Sequence, residues 1–103
     1  MVATFAGELD GAETESVRMR LLAALPAEAH GLVCDLSSLS YIDSAGVHLL
    51  HRLVRALDAE GQRIALVLPT RSTPRQVLEL TGITAAIPHS ETVDEAAAGV
   101  AAG

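Results

Sequence analysis

The sequence predicts an α/β domain: a mostly parallel sheet of four to five strands with about four helices. Three observations point there. Short apolar runs with strand character alternate with segments whose apolar residues recur at helical spacing. The breaks between them carry caps, proline or glycine rather than long linkers. Half of the 103 residues are hydrophobic, enough for one small core, so a single domain is expected over 1–103.

The first strand is predicted at Ala3 to Leu9, ending at Asp10. That aspartate can cap the next helix, with Glu13 three residues on as its capping-box partner. Helix one then runs to about Leu25, with Val17, Leu21, Leu22 and Leu25 on its inner face and Pro26 as its stop. Leu32 to Leu36 reads as a short strand, apolar on both faces apart from Asp35, followed by a connecting loop at Ser37 to Tyr41. From Ser44 the stripe Val47, Leu50, Leu53, Val54 and Leu57 predicts an amphipathic helix. Its other face carries Ser44, His48, His51 and Arg55, and Gly61 follows its end.

Ile64 to Leu68 is the next strand. Thr73-Pro74-Arg75-Gln76 opens a helix, with threonine as cap, proline at the first position and glutamine in capping-box register, and Gly82 closes it. A last brief strand is expected around Ala85 to Ile87, bounded by Pro88. Ser90 to Ala98 starts the final helix, with Thr92 and Glu95 in capping-box register, and residues 99–103 are expected to fray.

Composition excludes several classes of function. The net charge is −6, and all seven basic residues are arginines, at 18, 20, 52, 55, 63, 71 and 75, scattered along the chain. That pattern lacks the basic footprint of a nucleic-acid or anionic-membrane binder. No apolar run approaches the ~18 residues needed to cross a bilayer, and no basic leader precedes an apolar stretch. A cytoplasmic protein without membrane insertion is therefore expected. The one cysteine, Cys34, cannot form an internal disulfide and sits in the apolar run Leu32-Val33-Cys34, where a buried thiol is the simplest reading.

The segment Tyr41-Ile42-Asp43-Ser44-Ala45-Gly46-Val47 carries the clearest chemistry, because it joins a buried strand and its loop to the start of a helix. A hydroxyl there can cap backbone N–H groups, meet a partner or accept a phosphate whose charge the helix dipole favours. Asp43 can equally be the cap or a partner contact, and Asp10 is explained by capping alone. Gly46 suits close packing of the helix on a neighbour. His48 and His51 share a helix face, but two histidines without a third ligand do not make a metal site. Asp43, Ser44 and His48 supply the residue types of a catalytic triad, yet an acid adjacent to its serine cannot orient the histidine from the far side. The position two before Ser44 is Ile42, so the G-x-S-x-G elbow is absent. No enzymatic activity, cofactor or metal is expected.

The ordered set Gly7-Glu8-Leu9-Asp10, Asp35-Leu36-Ser37-Ser38-Leu39 and Ile42-Asp43-Ser44-Ala45-Gly46-Val47 resembles the STAS domain of bacterial anti-sigma factor antagonists. Gly82-Ile83 and the segment from Thr92 to Ala96 extend the likeness over nearly the whole chain. The resemblance implies a protein that binds an anti-sigma factor which is also a serine kinase, and so releases a sigma factor. Phosphorylation of the serine that matches Ser44 would break that complex, and a phosphatase would reset it. Carried over residue by residue, the partner surface maps onto Asp10, Ser40, Tyr41, Asp43, Ser44 and His48. STAS-like domains also serve as accessory subunits of membrane lipid transport complexes or as signalling scaffolds without a phosphorylation cycle, and fold alone does not separate these. The serine at 44 favours the antagonist.

Two departures from the family pattern stand out. Only Met1 to Ala6 precede Gly-Glu-Leu-Asp, so the family's first strand is expected to be truncated, leaving a sheet edge through which a homodimer could pair. Glu13 stands where the family often has threonine, which bears on the capping of helix one.

Overall fold

The computed structural model describes residues 1–9, 11 and 14–101. The expectations for Asp10, for Glu13 and for the last two residues lie outside the described residues. Chain order is β1 (Val2–Leu9), α1 (Thr14–Ala24), β2 (Gly31–Ile42), α2 (Ser44–Ala59), β3 (Arg63–Val67), α3 (Thr73–Leu80), α4 (Ile83–Ala86), β4 (His89–Ser90) and α5 (Val93–Ala101). The four strands form one sheet in the order β1-β2-β3-β4, every pair parallel.

Strands that neighbour one another in chain order, joined by right-handed crossovers, put their connecting helices on one face of the sheet. The core follows that rule. Leu32, Cys34 and Leu36 of β2 and Ile64, Leu66 and Leu68 of and after β3 point into the main core, where Leu49, Leu50, Leu53 and Leu57 of α2, Leu78 of α3 and Ile83 of α4 meet them. The alternate residues Val33, Ala65 and Val67 face the other way and are covered by Ala96 and Val100 of α5. Strands covered on both faces explain the nearly continuous apolar runs in β2 and β3. Helix α1 lies across the core rather than in it: Val17, Leu21, Leu22 and Leu25 pack on the core half-buried, and no residue of the helix is fully buried.

The second strand corrects the sequence reading. Ser37 to Tyr41, expected as a loop, continues β2 to a length of 12 residues. Leu36, Leu39 and Ile42 are three apart, so regular alternation would send successive ones to opposite faces. Two register shifts against β1, between Thr4 and Ala6 and between Gly7 and Glu8, each place an extra residue on β2 and bring all three back to the core side, 0%, 5% and 4% exposed. Polar side chains stitch both irregularities. Asp35 Oδ1 accepts the Ser37 N–H at 3.0 Å and its hydroxyl at 2.6 Å, and Ser40 Oγ donates to the Gly7 carbonyl at 3.0 Å. Gly7 itself has φ +75°, a left-handed conformation that favours glycine.

The region after β3 brings further corrections. Ser72, not Thr73, caps α3, accepting the Arg75 N–H at 3.4 Å, and Pro74 then falls within the first turn. The strand expected at Ala85 to Ile87 is instead the end of helix α4, which closes through Ile87 N–H to the Ile83 carbonyl at 2.9 Å. Alanine favours helix over strand, and Pro88 delays the strand until His89 and Ser90. Helix α5 starts at Val93 rather than Ser90. Thr92 and Glu95 do form the capping pair, with the Glu95 N–H bonded to Thr92 Oγ1 at 3.2 Å and that hydroxyl donating to Glu95 at 3.1 Å. Residues 99–101, expected to fray, continue the helix.

Candidate functional site

The site is built where β1 and β2 end and α2 begins, at the carboxyl ends of adjacent parallel strands, where open α/β sheets place their binding surfaces. The Asp43 N–H reaches back to the Leu9 carbonyl at 3.4 Å, tying the start of α2 to the end of β1. Asp43 has extended backbone and Oδ1 accepts the Gly46 N–H at 3.1 Å, so it is the N-cap of α2. Ser44 is therefore the first helical residue and not the cap. It is exposed, and its hydroxyl makes no hydrogen bond among the described residues.

Gly46 sets how closely this junction can pack. A Cβ built on it would lie 2.6 Å from Ile42 Cγ1 and 2.8 Å from the Leu9 carbonyl oxygen, closer than real contacts. The backbone of α2 thus rests directly on the strand ends. Gly11 lies against Ala45, where a Cβ would sit at ordinary contact distance, 3.5 Å.

Around this junction Ser40 and Tyr41 stand near the end of β2, Tyr41 opposite Glu8 in the register and 48% exposed. His48 lies one helical turn beyond Ser44 on the same exposed side. The fold therefore brings Ser40, Tyr41, Asp43, Ser44 and His48 to one end of the molecule. His51 continues that side of the helix, and no third ligating side chain joins the two histidines among the described residues.

Beside His48, a groove of about 310 Å³ between α1 and α2 is lined by Thr14, Glu15, Arg18, Ala45, His48, Leu49 and Arg52. The Glu15 carboxylate is shared by Arg18 of its own helix and by Arg52 of α2, at 3.1 Å from the latter. The hydrogen bond from Arg18, then the charges of Arg18 and Arg52, hold the Glu15 carboxyl below its ordinary value. The sequence gives the Glu15–Arg18 spacing but not the Arg52 contact, which depends on how α1 packs against α2. Leu49, 2% exposed beneath the groove, was likewise outside the predicted stripe.

Away from the site, Cys34 and Glu91 are perturbed by structural contacts. Cys34 is fully buried, and burial pushes its thiol up to about 12. Glu91 accepts the Thr70 hydroxyl at 2.6 Å and N–H at 3.2 Å and pairs with Arg75 at 3.0 Å, which lowers its carboxyl and ties the β3–α3 loop to the approach of α5. No helix among the described residues is long and apolar enough to cross a membrane.

The architecture has close relatives among known proteins. An anti-sigma F factor antagonist of Lysinibacillus sphaericus is 33% identical over 78 residues, a match covering 75% of this chain and 66% of that protein, just under two thirds of its length. The crystal structure of an anti-sigma factor antagonist from Mycobacterium paratuberculosis is 26% identical, with a TM-score of 0.81 over 96% of this chain and 83% of that one. The Bacillus cell-fate determinant SpoIIAA in its phosphorylated form is 29% identical, with a TM-score of 0.68 over 96% and 88% of the two chains. The profile of the STAS domain matches residues 1–96, and the chain belongs to the STAS domain family.

Proposed function

We propose that this chain is an anti-sigma factor antagonist. It binds an anti-sigma factor that is also a serine kinase, thereby releasing a sigma factor, and phosphorylation of Ser44 ends the complex. The observation that carries the reading is the division of roles at the helix start: Asp43 caps the helix, and the Ser44 hydroxyl is exposed with no bond of its own among the described residues. The relatives named as anti-sigma factor antagonists support it; SpoIIAA bears that name in its unphosphorylated form and also has a structure in the phosphorylated form.

Energetics give the switch its sign. A phosphate adds roughly −1.5 to −2 charges at neutral pH. At an exposed helix N-terminus that charge is favourable by only ~0.3 to 1 kcal/mol. In a packed interface the same group meets repulsion and desolvation several-fold larger. Phosphorylation thus leaves the fold standing and breaks the interface. Partner contacts are assigned to Ser40, Tyr41, Asp43, Ser44 and His48, with Asp10 added by likeness to the family. A phosphatase completes the cycle in the cytoplasm.

The outer edge of β1 is unpaired among the described residues, and pairing of two copies through it is part of the same reading; a monomeric mass in ultracentrifugation at high concentration counts against that part. The function itself is tested by affinity purification of the tagged chain followed by mass spectrometry. Co-purification of a GHKL-type kinase supports it, and a membrane transporter ATPase in its place overturns it.

A further inference from the structure

We infer that the exposed ridge of α2, from Ser44 through His48, His51 and Arg52 to Arg55, docks an acidic surface of the anti-sigma factor; the inference rests on the function proposed above and names the chemistry of that partner's surface. The chain as a whole is acidic, with 13 carboxylates against seven arginines. The ridge reverses that balance. From Ser44 to Leu57 the sequence contains two arginines, two histidines and no aspartate or glutamate. Ser44, His48, His51, Arg52 and Arg55 are all exposed. At a rise of 1.5 Å per residue, the eleven steps from Ser44 to Arg55 span about 16 Å, a suitable length for one element of a partner interface.

These side chains are poorly used inside the molecule. His48, His51 and Arg55 have no hydrogen bond or ion pair among the described residues. Arg52 meets only Glu15, and the two side chains are 61% and 54% exposed, so water and salt weaken that pair and a partner carboxylate can compete for the arginine. The nearest acids on the helix itself lie at its two ends. Asp43 is engaged with the Gly46 N–H, and Asp58 is a further turn beyond Arg55. The ridge is continuous with Ser44 and lies on the same side of the helix, so a partner that covers one covers the other.

Charge complementarity also accounts for the sensitivity of the complex to one phosphate. An acidic surface seated on the ridge would face the new dianion at the end nearest Ser44, so the modification adds repulsion and reduces the positive potential that attracted the partner. A basic partner surface would instead be strengthened by the same modification.

The experiment measures association and dissociation rates of the full chain with the anti-sigma factor kinase of the same organism, at low and high salt. Arg55→Glu and His51→Glu are compared with wild type, with Ser44→Asp, and with Arg20→Glu, which makes the same charge change as Arg55→Glu but on the β1 side of α1. Circular dichroism confirms that each variant keeps its helix content. Arg55→Glu and His51→Glu should each bind about tenfold more weakly, mostly through slower association, and show a shallower salt dependence, while Arg20→Glu stays near wild type. If Ser44→Asp loses binding and the two ridge variants bind like wild type, the acidic partner surface is overturned and the switch stands. If the wild type binds no anti-sigma factor, the switch fails and the ridge assignment falls with it.

Discussion

Asp43 Oδ1 accepts the backbone N–H of Gly46 at 3.1 Å, and this one bond divides the work of the βα junction between neighbouring residues. Asp43 satisfies one of the free donors of the first helical turn. Ser44 is left with an exposed hydroxyl that makes no hydrogen bond among the described residues, so a kinase could modify it without costing the helix its cap.

Removing each side chain should separate the two roles. Asp43→Ala should lose about 0.5–2 kcal/mol, the usual cost of deleting an N-cap, and Asp43→Asn much less. Ser44→Ala should stay within about ±0.5 kcal/mol, as expected of an exposed side chain. Urea unfolding of the three variants checks this, and an equal loss in Asp43→Ala and Ser44→Ala would return the cap to the serine.

Gly46 is the position where the junction tolerates least. Its Cβ would press on the Leu9 carbonyl, which is backbone and cannot swing aside. Gly46→Ala should therefore cost about 1–3 kcal/mol, the range for overpacking a close contact. It should also weaken partner binding by displacing Ser44. Thermal unfolding and a binding titration measure both, and unchanged values would show that the helix does not rest on the strand ends.

The parts of the fold legible in the sequence were those with repeated local signals. The α2 stripe through Leu50, Leu53 and Leu57, the exposed side of Ser44, His48, His51 and Arg55, and the stop at Gly61 with φ +70° all follow from helical period and end signals. Strand β2 was underread because Leu36, Leu39 and Ile42 break the period of two. Only the extra residues set against β1 return them to one face. The α4 turn and two-residue β4 were misplaced because Ile83 to Ile87 is too short for either period to show. At the site, the residue types were visible in sequence, but capping by Asp43 rather than Ser44 and the Glu15–Arg52 contact depend on backbone geometry and helix packing.

Burial of Cys34 predicts both its reactivity and an alkaline limit. Its thiol is raised by burial from 9.0 to about 12, so the folded state holds the proton more tightly than the unfolded chain. The associated stability is complete below about pH 9 and declines as pH rises from there towards 12. Denaturation midpoints across that window should fall, with a smaller decline in Cys34→Ala. The native thiol should resist a maleimide that labels the urea-unfolded chain at once; equal labelling of both states would contradict its burial.

The carboxylates act at the other end of the scale. Glu15 and Glu91 are both lowered from 4.5, the first mainly by the Arg18 hydrogen bond and the second by those from Thr70. Groups lowered on folding contribute stability above their unfolded value and lose it as pH falls through the folded one. The decline in melting temperature below pH 4.5 should therefore be shallower in the Glu15→Gln, Glu91→Gln double variant than in wild type. Parallel acid limbs would show that neither pairing survives in solution.

The central claim is that Ser44 is the residue through which a kinase partner releases this chain. Its most direct test is incubation of wild type and Ser44→Ala with the anti-sigma factor kinase and ATP, followed by intact-mass measurement and a binding assay on each product. The account predicts one phosphate on the wild type and none on Ser44→Ala, with only the wild type losing affinity after the reaction. A phosphate on Ser44→Ala, or full affinity in a phosphorylated wild type, would contradict it.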